Sequence, residues 1–520
     1  MLIMSKQTFL QGTLFLIMAG LITRLLGFIN RIVVARLMGE EGIGLYNMAL
    51  PTLFLVYTLS QFGLPIAISK RVAEAEARND TKKIKKILIV SLVITGTLSI
   101  FFTIGMIIAA PLIATRFLTD ERTLYPLLAI TPMVPISAIS SVIRGYFQGR
   151  QNMKPQSYAQ VIEQIIRISC VAFFIKLLLP YGIEFAACGA MISVIIGELV
   201  SLLFMMRLFR RHKRITLHHS AFTYIASGKD TLKSLLSIAL PSTGSRLVGS
   251  ISNFLEPILV AQSLAIAGVA TVTATKQYGA LTGYAIPLLF LPTFITHSLA
   301  VALIPNISEA EANNNNKLVH YRIHQAVRIS FASGALATVI LTMFASPILH
   351  FMYGTSNASG FLLLMAPFFL LLYIQFPLNA TLQALDYAKK AMWNNIISTG
   401  VKFVVLIVLT SNSQFGIMGA AIALSVGVVL GTSLHLATLN NVIKFSIPKS
   451  DILKMIALLG LTWFVANVFR QLFTGYDTVL SILILVILLT SVAYVFLLFL
   501  LKFITKEELV QLPFFNRFFS

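Results

Sequence analysis

Long apolar runs separated by short polar and basic stretches dominate the chain from end to end. Runs such as Ile87 to Ala110 and Val479 to Leu501 are long enough to cross a hydrocarbon layer about 30 Å thick as helices. Alternating strand patterns are absent, which disfavours a β-barrel and leaves helices to satisfy the backbone internally. The pattern predicts fourteen spans. Twelve lie at about 9–34, 43–69, 84–109, 124–147, 157–179, 184–207, 234–263, 280–304, 325–350, 361–384, 391–411 and 416–439. The last two lie at about 452–471 and 478–503. The expected class is an all-α polytopic membrane protein.

Composition agrees: 57% hydrophobic, 11% charged and mean hydropathy +0.85 are too apolar for an ordinary soluble protein. A net charge of +21 in a soluble protein would suggest nucleic acid. Here the basic residues fall in short loops, as the positive-inside rule requires, and no nucleic-acid partner is expected. Lys70 to Lys86 and Arg207 to Lys233 carry seven Lys/Arg each. Arg150, Lys154, Lys317, Arg322, Lys389, Lys390, Lys444 and Lys449 fall on the same side, whereas the 351–360 and 412–415 loops carry none. Both termini are therefore expected in the cytoplasm. The N-terminal run continues past Arg24 to Val34 without a convincing small-residue cleavage site, so it reads as a retained first helix. Two cysteines, Cys170 and Cys188, suggest no disulfide framework or metal cluster.

The chain repeats itself. Glu74-Ala75-Glu76-Ala77 recurs as Glu309-Ala310-Glu311-Ala312, and the same shift pairs Pro132 with Pro367, Gln148 with Gln383, and Arg167 with Lys402. Arg24-Leu25-Leu26-Gly27 is echoed by Arg246-Leu247-Val248-Gly249 at a slightly different shift. A duplicated unit of six helices, an even number, enters the membrane in the same direction twice, which implies two parallel-related lobes around a central cleft. The expected organisation is a lobe over 1–207, a basic cytoplasmic linker over 208–233 and a second lobe over 234–439. An added helix pair over 440–503 and an amphipathic tail over 504–520 follow.

No phosphate-binding loop and no H-E-x-x-H motif is present, so neither ATP hydrolysis nor metalloenzyme chemistry is expected. His320 and His324 stand one helical turn apart without a convincing third ligand and read as a solvated face. The Glu74/Glu76 and Glu309/Glu311 pairs read likewise as solvated loop ends. Charges inside the spans are the informative ones, because each costs at least ~2.5 kcal/mol at a helix centre unless it meets a cavity or a partner. Arg24 and Arg31 project from one face of the first helix with Gly27 between them, and Arg246 takes the matching place in the seventh. Basic groups so placed suit an anionic cargo, phosphate oxygens in particular. Glu163 and Arg167, spaced i, i+4, are expected to pair. Lys402 has no acid four residues before it and is expected in the cleft. Glu256, followed by Pro257, either binds a coupling cation or neutralises an arginine, and Glu198 has no evident partner.

The stretches Thr23 to Arg31, Ala35 to Gly39, Gly39 to Tyr46, Gln61 to Lys70 and Arg144 to Gly149 resemble the polysaccharide and peptidoglycan-lipid flippases. These belong to the multidrug/oligosaccharidyl-lipid/polysaccharide exporter superfamily, and the likeness is to a branch from endospore-forming bacilli. The resemblance implies a two-lobe flippase for a polyprenyl-pyrophosphate-linked saccharide, with lipid II as one such cargo, acting in synthesis of the spore cortex. It adds Asn30 to Arg24, Arg31, Arg246 and Lys402 as cavity residues. It implies a lipid-tail groove at the last two helices, a cell membrane location around the forespore, and contacts with membrane lipids and wall-synthesis enzymes. Where those flippases carry arginine followed by aspartate, this chain has Asn30 and Arg31. It also lacks their arginine after Leu50-Pro51, and its eighth span is free of charge from Gln277 to Ile307, so those phosphate-contacting positions do not transfer.

Three competing readings follow. A cation-coupled drug antiporter of the same superfamily predicts that Glu256 is indispensable and Arg24 is not. A membrane glycosyltransferase needs converging carboxylates and a sizeable extramembrane domain, whereas the longest loop here is basic with one acid, Asp230. A non-transporting scaffold is the third. No cofactor is expected beyond an ion gradient or membrane potential.

Overall fold

The structure, a computed structural model, describes residues 9–211, 229–473, 475–501 and 503. The expected linker falls largely, and the amphipathic tail over 504–520 wholly, outside the described residues. All regular structure among the described residues is helical, and the chain divides into two compact units, Met1–Gly279 and Ala280–Ser520. The contacts thus divide the chain after Gly279, so the helix carrying Arg246 shares the first unit.

In the first unit α1 (Phe9–Gln61) joins two predicted spans without a loop. It breaks at Gly39, whose φ of 67° and ψ of −172° lie in a region open in practice only to glycine. Phe62 and Gly63, both at positive φ, turn the chain into α2 (Leu64–Ala77). Then come α3 (Thr81–Leu112), capped by the Asp80 side chain, and the pair α4 (Leu124–Ala129) and α5 (Met133–Gly149), divided at Pro132. After them run α6 (Lys154–Leu178), α7 (Ile183–Arg211), α8 (Lys229–Ile266) and α9 (Thr271–Gly279). α5 lies tight on α2, because a Cβ on Gly145 would fall 2.9 Å from the Pro65 carbonyl oxygen and one on Gly149 would fall 2.6 Å from that of Ser69. Ile68, Val72, Ile84, Tyr146, Phe147 and Leu235 fill the core beside this contact. Glu76 is not simply solvated: it binds Arg150 at 2.9 Å and ties α2 to the end of α5, while Glu74 pairs with Arg71 at 2.8 Å.

The second unit holds α10 (Ile286–Phe290), α11 (Thr293–Ala312), α12 (Asn316–Met343), α13 (Ala345–Tyr353) and α14 (Ser359–Ala384). It continues with α15 (Ala388–Thr410), α16 (Ile417–Ile443), α17 (Lys449–Leu472) and α18 (Leu480–Leu500). Buried tyrosines tie the layers: the Tyr373 hydroxyl donates to the Leu289 carbonyl at 2.7 Å and that of Tyr494 to the Ala332 carbonyl at 2.5 Å. His320 and His324 are half-buried against Phe445 rather than on a solvated face, and His320 Nε2 lies 3.0 Å from the Ile443 carbonyl oxygen.

Among the described residues eleven helices are long and apolar enough to cross a membrane, or twelve if the pair Thr271–Phe290 and Thr293–Ala312, bent by 52°, is one span. The expected fourteen exceed this count for physical reasons. The run Met18–Ala77 takes in two predicted spans without a loop, and α6, with Lys154, Glu163, Arg167 and Lys176, is too polar to be counted.

Away from the Lys/Arg-rich loops, the first unit is held by a compact charge network. Asp120, 3% exposed, accepts from the Arg122 backbone at 3.1 Å, from Arg122 Nε at 3.0 Å and Nη2 at 2.8 Å, and from the Thr275 hydroxyl at 2.7 Å. Arg122 also binds Glu41, whose other oxygen lies 3.3 Å from Lys276 Nζ, so α1, the turn before α4, and α9 are joined. Burial alone would raise the Asp120 carboxyl, but the hydrogen bonds from Arg122 and Thr275 outweigh it and hold the group below its ordinary value. A carboxyl depressed on folding contributes stability in full above its unfolded value of about 4 and loses it as pH falls toward the folded one. The apparent melting temperature of the purified protein should therefore drop on acidification below about pH 4. Asp120→Asn should flatten part of that drop and lower the melting temperature at neutral pH; an unchanged acid limb in the variant would refute the assignment.

Candidate functional site

Four charged side chains from three helices meet inside the first unit. Arg144 of α5 donates from Nη2 to both oxygens of Glu198 on α7, at 2.7 and 2.9 Å, and lies 3.8 Å from Glu163 on α6. Arg167, one turn along α6, closes on Glu163 at 2.5 Å. The Glu198 side chain is 4% exposed, that of Glu163 12%, and each arginine 19%. Charges this deep are retained only when paired, and two of each sign leave the cluster neutral. Gly197 beside Glu198 permits the approach, since a Cβ there would fall 2.9 Å from the Glu163 carbonyl oxygen.

Further basic and polar groups lie on α1, α6 and α8. Tyr46 of α1 lies within electrostatic reach of Arg167 and Arg31, and Tyr57 within reach of Arg144, Glu198 and Arg246. The Thr58 and Ser250 hydroxyls, 2.8 Å apart, link α1 to α8 one turn from Arg246. Arg24, Arg31 and Arg246 are exposed, and none of the ion pairs among the described residues involves them. Asn30, by contrast, is buried, and its Oδ1 has no hydrogen-bond partner among the described residues. Gln164 Oε1 is buried in the same condition, facing Gly27 at 3.9 Å from where a Cβ would sit.

The remaining sequence candidates lie elsewhere. Glu256 is half-buried on α8, which runs unbroken through Pro257, and stands within electrostatic reach of Tyr278. Lys402 belongs to the second unit, with Nζ 4.8 Å from the Phe403 ring centroid and its stem packed over Gly427. The i, i+4 pair of Glu163 and Arg167 forms as the spacing predicts, and Glu198 has a partner after all. That partner, Arg144, falls within the predicted span 124–147 and enters the sequence reading only through the family resemblance, not as a site candidate. The only signal for it was Glu198 itself, an acid too deep to stand alone.

Residues 9–311, more than half of the chain, match the family described as "Polysaccharide biosynthesis protein". The chain belongs to this family. Residues 258–408 also match the MatE family. The chain is 51% identical over 514 residues to Stage V sporulation protein B of Bacillus subtilis (strain 168), covering 99% of each. It is 25% identical to the Lipid II flippase MurJ of the same organism, over 81% of this chain and 80% of that one. A solved lipid II flippase MurJ in its inward closed conformation superposes with a TM-score of 0.69 at 18% identity, covering 92% of this chain and 97% of that one. That likeness shows the fold. The family member described here is thus a multi-pass membrane protein with a transporter fold, and it is not an enzyme.

Proposed function

We propose that this chain is a flippase moving a polyprenyl-diphosphate-linked cell-wall saccharide across the cytoplasmic membrane in the service of spore cortex synthesis. The observation that carries the reading is the set of three exposed arginines, Arg24 and Arg31 on α1 and Arg246 on α8, on apolar helices of one unit. Guanidinium groups in that setting suit the oxygens of a diphosphate, and nothing else about those helix positions requires a charge. The 51% identity to Stage V sporulation protein B supports the sporulation role, and the flippase relatives support a lipid-linked cargo, lipid II among the possible ones. Both termini lie in the cytoplasm on this reading, the location is the membrane around the forespore, and lobes over 1–207 and 234–439 alternate access to the cargo.

Reconstitution tests it. Vesicles containing the purified protein should expose a fluorescent polyprenyl-diphosphate disaccharide to a membrane-impermeant quencher faster than protein-free vesicles. Replacing Arg31 and Arg246 together with alanine should slow that exposure about tenfold or more, each lost charge-assisted contact weakening the cargo complex. A rate equal to that of empty vesicles overturns the proposal. The MatE match favours one second reading, a cation-coupled drug antiporter. In that case Glu256→Gln abolishes efflux of a cationic dye while Arg24→Ala leaves it intact.

A further inference from the structure

The cluster of Arg144, Glu163, Arg167 and Glu198 is neutral as it stands, and its arginines are not saturated. Each keeps about a fifth of its side-chain surface open, and the Nε atoms of both are buried without a hydrogen-bond partner among the described residues. Tyr46 lies within electrostatic reach of both exposed Arg31 and Arg167, and Tyr57 of both exposed Arg246 and Arg144. A diphosphate engaged by Arg31 or by Arg246 would therefore come toward the paired guanidiniums. Its oxygens compete with the carboxylates for the same donors, and they add negative charge beside two acids that are already desolvated.

We propose that binding of a diphosphate headgroup here is linked to uptake of one proton from solution by Glu163. The inference rests on the diphosphate cargo proposed above. A buried carboxylate deprived of its cation neutralises rather than remain charged, and it does so by gaining a proton. Glu163 is the acid that yields. Glu198 is held by two hydrogen bonds from Arg144, whereas Glu163 depends on one close contact with Arg167 and a looser one, 3.8 Å, to Arg144. Glu163 is also the more exposed of the two. The charged and titratable groups facing it are Arg144 from α5, Glu198 from α7 and Arg167 from its own helix. The balance is simple: one O–H bond forms at Glu163, the proton comes from solvent, and it returns to solvent when the headgroup leaves. The bound complex is one charge closer to neutral than the ligand alone would make it, which eases its passage through a low-dielectric interior.

Calorimetric titration of the full-length purified protein with farnesyl diphosphate, in two buffers of different ionisation enthalpy, measures the protons exchanged on binding. The wild type should take up about one proton more per ligand than Glu163→Gln. Its affinity should rise on acidification by up to about tenfold per pH unit relative to that variant. Glu198→Gln, which leaves Glu163 in place, should retain the uptake. Equal proton counts in the wild type and Glu163→Gln overturn the linkage while leaving the flippase reading standing. Loss of the uptake in Glu198→Gln with retention in Glu163→Gln overturns the assignment to Glu163. Failure of the wild type to bind farnesyl diphosphate overturns both proposals.

Discussion

Arg144→Leu should destabilise the protein by about 3–5 kcal/mol, the range for removing one partner of a buried ion pair. The reason lies in what is left behind. Glu198, 4% exposed, loses both of its hydrogen bonds, and Glu163 keeps only Arg167. Leucine fills much of the volume, so the loss is electrostatic rather than a cavity. The discriminating comparison is the double variant Arg144→Leu with Glu198→Leu, which removes the stranded charge and leaves Glu163 paired at 2.5 Å. Its stability should return most of the way to wild type, since apolar replacement of both members of a buried pair is commonly neutral or favourable. Apparent melting temperatures in detergent check both expectations. A double variant as unstable as the single one would mean that Arg144 supports the fold through packing instead. The double variant should still lose function, because it removes a guanidinium beside the proposed headgroup site.

The network also shows where sequence reasoning reaches and where it stops. Fold class was legible because an apolar run long enough to span the bilayer has few alternatives. Glu163 with Arg167 was legible because one helical turn is a distance written into the sequence. Arg144 and Glu198 are 54 residues apart, and Asp120 and Thr275 are 155 apart, so no local spacing announces either contact. Only energetics pointed to the first, through an acid too deep to be alone. Hydropathy and helix length alone undercount the spans for a related reason. The turn at Gly39 needs a single backbone conformation rather than a polar loop, and α6 trades apolarity for the charges that build the site. The feature that blurs α6 as a membrane helix is the one that makes it functionally informative.

Gly279→Ala should cost about 3 kcal/mol or more, at or beyond the upper end of what overpacking a core produces. A Cβ at Gly279 would collide with the Glu40 carbonyl oxygen and lie 2.8 Å from the Gly44 backbone nitrogen, while one at Gly44 would meet the Thr275 backbone. Backbone stands on both sides of this seam between α1 and α9, so no flexible side chain can give way. Gly44→Ala should be as damaging, and combining the two should not rescue either, because each methyl meets a different backbone segment. Gly96→Ala is the contrast: it lies inside α3 with nothing within 4 Å of its Cβ position. It should be neutral or stabilise by about 0.5–1 kcal/mol through helix propensity alone. The seam sits among the contacts Lys276–Glu41 and Thr275–Asp120. Forcing it apart should therefore also pull Thr275 from Asp120, and the acid-dependent loss of stability assigned to that carboxyl should shrink in Gly279→Ala. A variant that melts early but keeps the full acid limb would show that the seam and the charge network hold the first unit together independently.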